Sequence, residues 1–322
     1  MHICAHTMPH DAVAVCKYAD MTSGTALPSA DDLLVLLAVG RTGRFNTAAD
    51  DLGVNHTTIS RRIANLEKTL GGRVLVKAAG GWELTELGQQ ALTAAERVEA
   101  AVHGLVAEPG GGEGLKGVVR VSATDGFSAY IAAPAGALIR RQHPEVSVEI
   151  VAVTRRASQH RSGLDIEVVV GKPQVHRAEA VWLADYALGL YASQSYLARQ
   201  RLPRTVAELA DHSLVYFIDS MLQVDELDLA RRLTVSMRES VTSTNVFVHV
   251  EATRAAAGIG LLPCFMADRH DDLVRVLPGQ VEATLAYWLV ARPESLRRPE
   301  VAAVVAAVRE TVESHRDALA GR

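Results

Sequence analysis

The stretch Asn46-Thr47-Ala48-Ala49-Asp50-Asp51-Leu52-Gly53-Val54-Asn55-His56-Thr57-Thr58-Ile59-Ser60-Arg61-Arg62-Ile63-Ala64-Asn65-Leu66-Glu67 decides the fold of the front of this chain. Ala49 is small enough for two helices to cross closely. Gly53 can take the left-handed backbone that ends a first helix. Asn55 suits an N-cap, because its side-chain oxygen can accept a free amide of the next turn. Ile59, Ile63 and Leu66 recur at helical spacing and face a core. The opposite face then shows His56, Thr57, Thr58, Ser60, Arg61 and Arg62, side chains that bond bases or phosphates. A helix-turn-helix whose second helix enters the major groove has this build. An ordinary helical hairpin inside a core is the plain alternative.

Working outward, residues 31–42 carry Leu33, Leu34, Leu36, Leu37 and Val39, the apolar stripe of a preceding helix. After the motif, Val74–Lys77, the turn 78–81 and Trp82–Thr85 read as a small hairpin, a wing beside the motif. Thr85 can cap a long helix from Glu86 to Glu108. Ala91, Val98 and Leu105 recur every seven residues, with Ala94 and Ala101 between them. That heptad seam favours a close helix pair between two copies over packing on its own domain. The run Glu108-Pro109-Gly110-Gly111-Gly112-Glu113-Gly114 ends the helix in a hinge.

Beyond 117 strands and helices alternate. Strands are expected at 118–122, 146–151, 166–170, 214–218, 258–263 and 285–291, with helices at 128–142, 246–257 and 299–313. That order predicts an α/β domain with a mostly parallel sheet. Ligands of such sheets sit at the C-terminal ends of the strands. Those ends carry Thr124, Asp125, Gly126, Phe127 and Ser128, then Thr154 and Arg155, then Gly171. A second half adds Phe217, Asp219, Thr244 and Asn245. The hydroxyls suit a small carboxylate. Asp125 and Asp219 would repel one, so a ligand with an amine or hydroxyl group fits equally.

Composition sets the frame. The 322 residues are 48% hydrophobic, enough for two or three cores. No apolar run is long enough to span a membrane. Three scattered cysteines, Cys4, Cys16 and Cys264, argue against a disulfide framework and for a cytoplasmic protein. The net charge is −4, yet residues 41–80 hold seven cations against three carboxylates. A basic head on an acidic body is the footprint of a DNA-binding module carried by something larger. Residues 1–28 lack apolar periodicity and read as a mobile tail. Their His2, Cys4, His6, His10 and Cys16 match no zinc spacing, and Met21 offers a second start.

These residues resemble the LysR-type transcriptional regulators. The match rests on Phe45, Ala48-Ala49, Leu52, Ser60-Arg61, Ile63, Leu66-Glu67, Leu70-Gly71, Leu84-Thr85 and Gly88. Leu164-Asp165-Ile166, Tyr196-Leu197 and Gly258-Ile259-Gly260 running into Pro263 support it. The resemblance implies a winged helix-turn-helix over 29–85, a dimerising linker helix over 86–108 and a hinge over 109–116. It also implies a two-lobed effector domain over 117–322, like a periplasmic binding protein. Lobe I would take 117–185 and 290–322, lobe II 186–289, with crossovers near 185–195 and 280–292. It implies a transcriptional regulator that binds operator DNA and a small effector, with no cofactor or metal, as a homodimer or tetramer, acting with RNA polymerase.

DNA contacts are then expected from Asn46, Thr47, His56, Thr57, Thr58, Ser60, Arg61, Arg62, Arg73 and Lys77. Four positions depart from the family pattern: Arg44, His56, Leu75 and Lys77. His56 replaces the usual glutamine, whose paired contact to adenine histidine cannot copy. A rival reading makes the body an enzyme, and another a solute-binding module, fused to the head. Cys264 has no partner cysteine in the body and reads as packed. The body histidines lack metal spacing, and Gly258-Ile259-Gly260 precedes a strand rather than a helix.

Overall fold

The computed structural model describes residues 27–78, 81–106, 114–153, 163–175, 178–221, 224, 226–228, 232–234 and 237–322. The expected mobile tail falls almost wholly outside them, as do the centre of the wing turn and most of the hinge. The chain forms two compact units, divided between Ala101 and Val102.

In the first unit α1 (Ala30–Thr42) buries Leu36, Leu37 and Val39 almost completely. Each such side chain contributes about 1.5–3 kcal/mol relative to exposure. Gly43 ends α1 in the left-handed region, its N–H bonded to Val39 O. α2 (Phe45–Asp51) crosses over Ala48 and Ala49, both buried. Gly53, at φ +62°, turns the chain into α3 (His56–Leu70). The wing pairs β1 (Leu75–Ala78) with β2 (Gly81–Leu84) antiparallel. Thr85 Oγ accepts from Gly88 N at 3.0 Å and starts α4 (Glu86–Val106).

The seam expected on α4 divides between two sides of the helix. Ala91 is buried in this unit's own core beside Leu92 and Ala95, and Val98 packs against it. Ala91 and Val98 lie on the stripe that α4 spends on its own domain. Gln90, Ala94, Arg97, Ala101 and Val102 occupy the exposed side.

The second unit is built on one nine-stranded sheet, ordered β4-β3-β5-β11-β6-β9-β7-β8, with β10 also on β6. Its strands are β3 (Lys116–Ala123), β4 (Glu145–Ala152), β5 (Ile166–Val170), β6 (Glu179–Ser193), β7 (Ser213–Phe217), β8 (Arg238–Ser243), β9 (Ile259–Pro263), β10 (Leu273–Val276) and β11 (Glu282–Ala291). The expected mostly parallel sheet is corrected to a mixed one. β3 pairs β4 and β5 in parallel, and β7 pairs β8 and β9 in parallel. Between these two parallel halves run β6 and β11, antiparallel to one another over ten registered pairs. A register shift between Tyr287 and Trp288 leaves Leu183 of β6 as the extra residue of a bulge in that strand. The long pair joins the two halves as two lobes.

α5 (Ala133–Gln142) and α7 (Pro299–Ser314) cover the first lobe, and α6 (Val246–Arg254) covers the second. A short turn Asp125–Phe127 and a π-helical turn Ser128–Ala132 lead from β3 into α5. Arg298, just before α7, donates to Asp165 at 2.6 Å, to Glu300 at 2.9 Å and to Val118 O at 3.2 Å. All three charged side chains of that knot are under 10% exposed.

Candidate DNA-reading helix and effector cavity

The sequence places an apolar back on α3, and the fold buries it: Ile59 and Leu66 are at 0% exposure. The front then faces outward, with His56, Thr57 and Arg61 exposed and Ser60 and Arg62 half-buried. Asn55 Oδ1 accepts three donors: Thr58 N at 2.8 Å, Thr57 Oγ–H at 2.7 Å and Thr58 Oγ–H at 2.8 Å. Both hydroxyl protons are thus committed. What each threonine hydroxyl keeps is acceptor capacity, the kind that suits the amino groups of adenine or cytosine. The His56 ring lies 5.5 Å from that of Phe45, which in turn stacks on Trp82 at 4.9 Å. An aromatic row thus runs from His56 through the motif to the wing.

The basic surface is smaller than the sequence count. Arg62 turns back to α1, 3.1 Å from Asp31 and 3.3 Å from Asp32. The guanidinium expected to meet phosphate is thus shared with two carboxylates that hold α3 on α1. Arg41 is held by Glu99 through two 2.6 Å bonds. Arg44, Arg61, Lys68, Arg73 and Lys77 remain exposed, as do Asn46 and Thr47 at the start of α2.

The second unit encloses a cavity where the two lobes meet. Thr124 and Gly126 line it from the exit of β3, Tyr186 and Tyr287 from the long strands, and Tyr216 and Phe217 from the end of β7. The empty space between these walls, counted out to its open mouth, is about 410 Å³. Tyr186 and Tyr287 stack at 4.3 Å and are hydrogen-bonded, and burial raises both phenols above their ordinary range. Tyr216 Oη donates to Leu227 O at 3.0 Å. Thr124 Oγ is buried, with the Tyr287 phenol as its hydrogen-bonding neighbour at less than ideal geometry.

Of the residues expected to bind effector, Thr124, Gly126 and Phe217 line this cavity. Phe127 does not. It is fully buried in the core, edge-on to Tyr287 at 4.8 Å. Ser128 donates to Ala123 O at 3.3 Å. Gly171 adopts φ +79°, its N–H bonded to Ala286 O at 2.8 Å, with the Glu226 carboxyl against its α-carbon. Asn245 caps α6 by accepting from Phe247 N at 2.8 Å. The Asp125 carboxylate accepts from Val246 N across the lobes, and burial raises it above the usual carboxylate range. Asp219 and Thr244 are exposed. Thr154 and Arg155 lie outside the described residues.

The sequence reading missed Tyr186, Tyr216, Tyr287 and Met266, all of which line the cavity. The alternation Leu285, Tyr287, Leu289 on β11 is the one local signal that could have found any of them.

Beneath the cavity wall His249 is wholly buried, its ring edge-on to Phe217 at 4.5 Å and Nε2 2.9 Å from Ser243 O. Burial lowers it to about 4, so it is neutral at pH 7 with the proton on Nε2. A histidine depressed in the fold binds its proton more readily when unfolded. Stability is therefore full above pH 6.5 and falls as pH drops toward 4, by roughly 3 kcal/mol at most. Urea unfolding between pH 7 and 4 should show this slope, and His249→Leu should flatten it. An unchanged slope in the variant would mean that other groups set the acid sensitivity.

Among the described residues, no group of three or more His, Cys, Asp or Glu could hold a metal ion. No helix there is long and apolar enough to cross a membrane.

Comparison with known proteins gives two family matches. Residues 30–89 match the description "Bacterial regulatory helix-turn-helix protein, lysR family", and residues 112–313 match "LysR substrate binding domain". The chain is 28% identical over 192 residues to the HTH-type transcriptional activator TtdR of Escherichia coli (strain K12), covering 58% of this chain and 60% of TtdR. It is 27% identical over 269 residues to the Mau operon transcriptional activator of Paracoccus denitrificans, covering 82% and 89%. A full-length OxyR from Pseudomonas aeruginosa shares the fold, with TM-score 0.70 at 16% identity over 88% of this chain and 95% of that one.

Proposed function

The chain belongs to the LysR family, and on that premise we propose that it is a sequence-specific transcriptional regulator whose action at a promoter responds to a small-molecule effector. The observation that carries the reading is the exposed front of α3. His56, Thr57 and Arg61 stand outward from a helix whose cap and apolar back are otherwise fully engaged. Nothing inside the first unit uses those side chains as core.

Each α3 enters one major groove. His56 and the two threonines read base edges, while Arg61, Arg73 and Lys77 meet phosphates and set the salt dependence. Two heads, in a homodimer or a dimer of dimers, take half-sites separated by whole turns of ~10 base pairs. The protein works in the cytoplasm at promoters, with RNA polymerase. The cavity of the second unit takes the effector. The enzyme reading loses its main candidate, because burial pushes the Cys264 thiol up and away from the nucleophilic thiolate.

The test is footprinting on the protein's own upstream DNA, against a scrambled control, across a salt series. Protection of a two-part site is the expected result. His56→Ala should reduce the operator-to-scrambled affinity ratio about tenfold, the scale of one base contact, while nonspecific binding stays within twofold. Equal losses on both DNAs would remove His56 from base reading. Equal binding to both DNAs by the native protein would end the regulator reading.

A further inference from the structure

Resting on the effector reading of this cavity, we infer that its ligand is uncharged, a small molecule with an apolar ring or branched body and one hydrogen-bonding group for Thr124 Oγ. Helix α6 points its N-terminus toward the lobe junction, the place where a ligand carboxylate would ordinarily find free amides. Here those amides are taken. Val246 N is bonded by the Asp125 carboxylate from the opposite lobe. Phe247 N is bonded by Asn245 Oδ1, and Val248 N by Asn245 O at 3.1 Å. The protein's own carboxylate fills the anion position and closes it to another.

The lining agrees. Among the described residues no lysine, arginine or histidine lines the cavity. The proton of Tyr216 is committed to Leu227 O, and the Tyr186 and Tyr287 phenols are bonded to each other. The Gly171 amide is spent on Ala286 O. A ligand anion would be stripped of water with no countercharge among the described lining residues. A ligand cation meets no better reception, because neither Asp125 nor Glu226 lines the cavity. What the described walls offer is aromatic surface and the buried Thr124 hydroxyl, which can donate toward the Tyr287 phenol and still keeps an acceptor site for a ligand.

The experiment uses the full chain and probes that hold shape while changing charge: benzamide, benzoate and benzylamine, with isobutyramide and isobutyrate as a smaller pair. Binding is read by calorimetry and by thermal shift. The expected result is that an amide binds at least tenfold tighter than its charged counterparts. Thr124→Val should weaken the amide about tenfold. Asp125→Asn keeps an acceptor for Val246 N but removes the charge, so it should strengthen carboxylate binding and leave amide binding within twofold.

A carboxylate or the amine binding as tightly as the matching amide would overturn the inference. So would no binding of any probe at millimolar concentration, or indifference of amide binding to Thr124→Val. Operator footprinting runs in parallel. Preference for benzoate with an intact footprint sinks the ligand class alone, whereas the expected amide preference without a footprint sinks the regulator reading alone.

Discussion

Arg298→Ala should destabilise the second unit by about 3–5 kcal/mol, the cost of stranding buried charge. Asp165 and Glu300 both lie under 10% exposed and both lean on this one guanidinium. Asp165 also accepts from Arg120 N through its other oxygen at 2.9 Å, and Arg298 reaches Val118 O. The knot therefore ties the start of α7 to β3 and to the entry of β5. Removing the arginine leaves two carboxylates facing each other's field without water. The loss is read as a lowered urea midpoint with an unchanged slope. A triple variant, Arg298→Met with Asp165→Asn and Glu300→Gln, should recover more than half of it, because charge burial rather than packing is the larger cost. A loss under 1 kcal/mol in the single variant would show that water reaches the site.

The head was legible because its signals are local. Gly53 needs a positive φ, Asn55 caps the residue three positions on, and Ile59, Ile63 and Leu66 repeat at helical spacing. Each of those requirements is met within one turn of chain, and each is written in adjacent residues. The body was less legible for the opposite reason. β6 holds Ala180, Ala184, Ala187 and Ala192 and few branched residues, so it carries little strand preference of its own. Its partners β9, β10 and β11 come much later in the chain and supply the pairing that makes it a strand.

The same distance hid the site. That Arg62 pairs with Asp31 and Asp32, or Asp125 with Val246, cannot be read from either neighbourhood alone. Thr124 and Gly126 were found because a strand end is a local feature. Tyr186 was not, because the strand that aims it was not recognised.

Gly88→Ala should abolish operator binding while leaving the second unit folded. A β-carbon at position 88 would sit 2.0 Å from Val74 O and 3.1 Å from a methyl of Leu84. Val74 O is backbone, and it already accepts from Thr85 N at 3.1 Å. Thr85 Oγ donates to Arg73 O at 2.6 Å while accepting from Gly88 N. The first turn of α4 and the root of the wing thus share one set of bonds, and no side chain can swing aside to make room. The alanine must push β1 away from α4, opening the core around Leu75 and Leu92. That costs at least the 1–3 kcal/mol typical of overpacking.

Gly71→Ala is the control. Gly71 has φ +72° but open space around it, so it costs only the ~1–2 kcal/mol of left-handed strain. Footprinting should therefore fail for Gly88→Ala at concentrations where Gly71→Ala still protects. Benzamide binding, which the second unit supplies, should be equal in both. The two units have separate cores, with no residue shared between them, so one lesion should move one unfolding transition. Native-like operator binding by Gly88→Ala would mean that the wing root yields, and that the approach of α4 to Val74 is not what holds the reading head together.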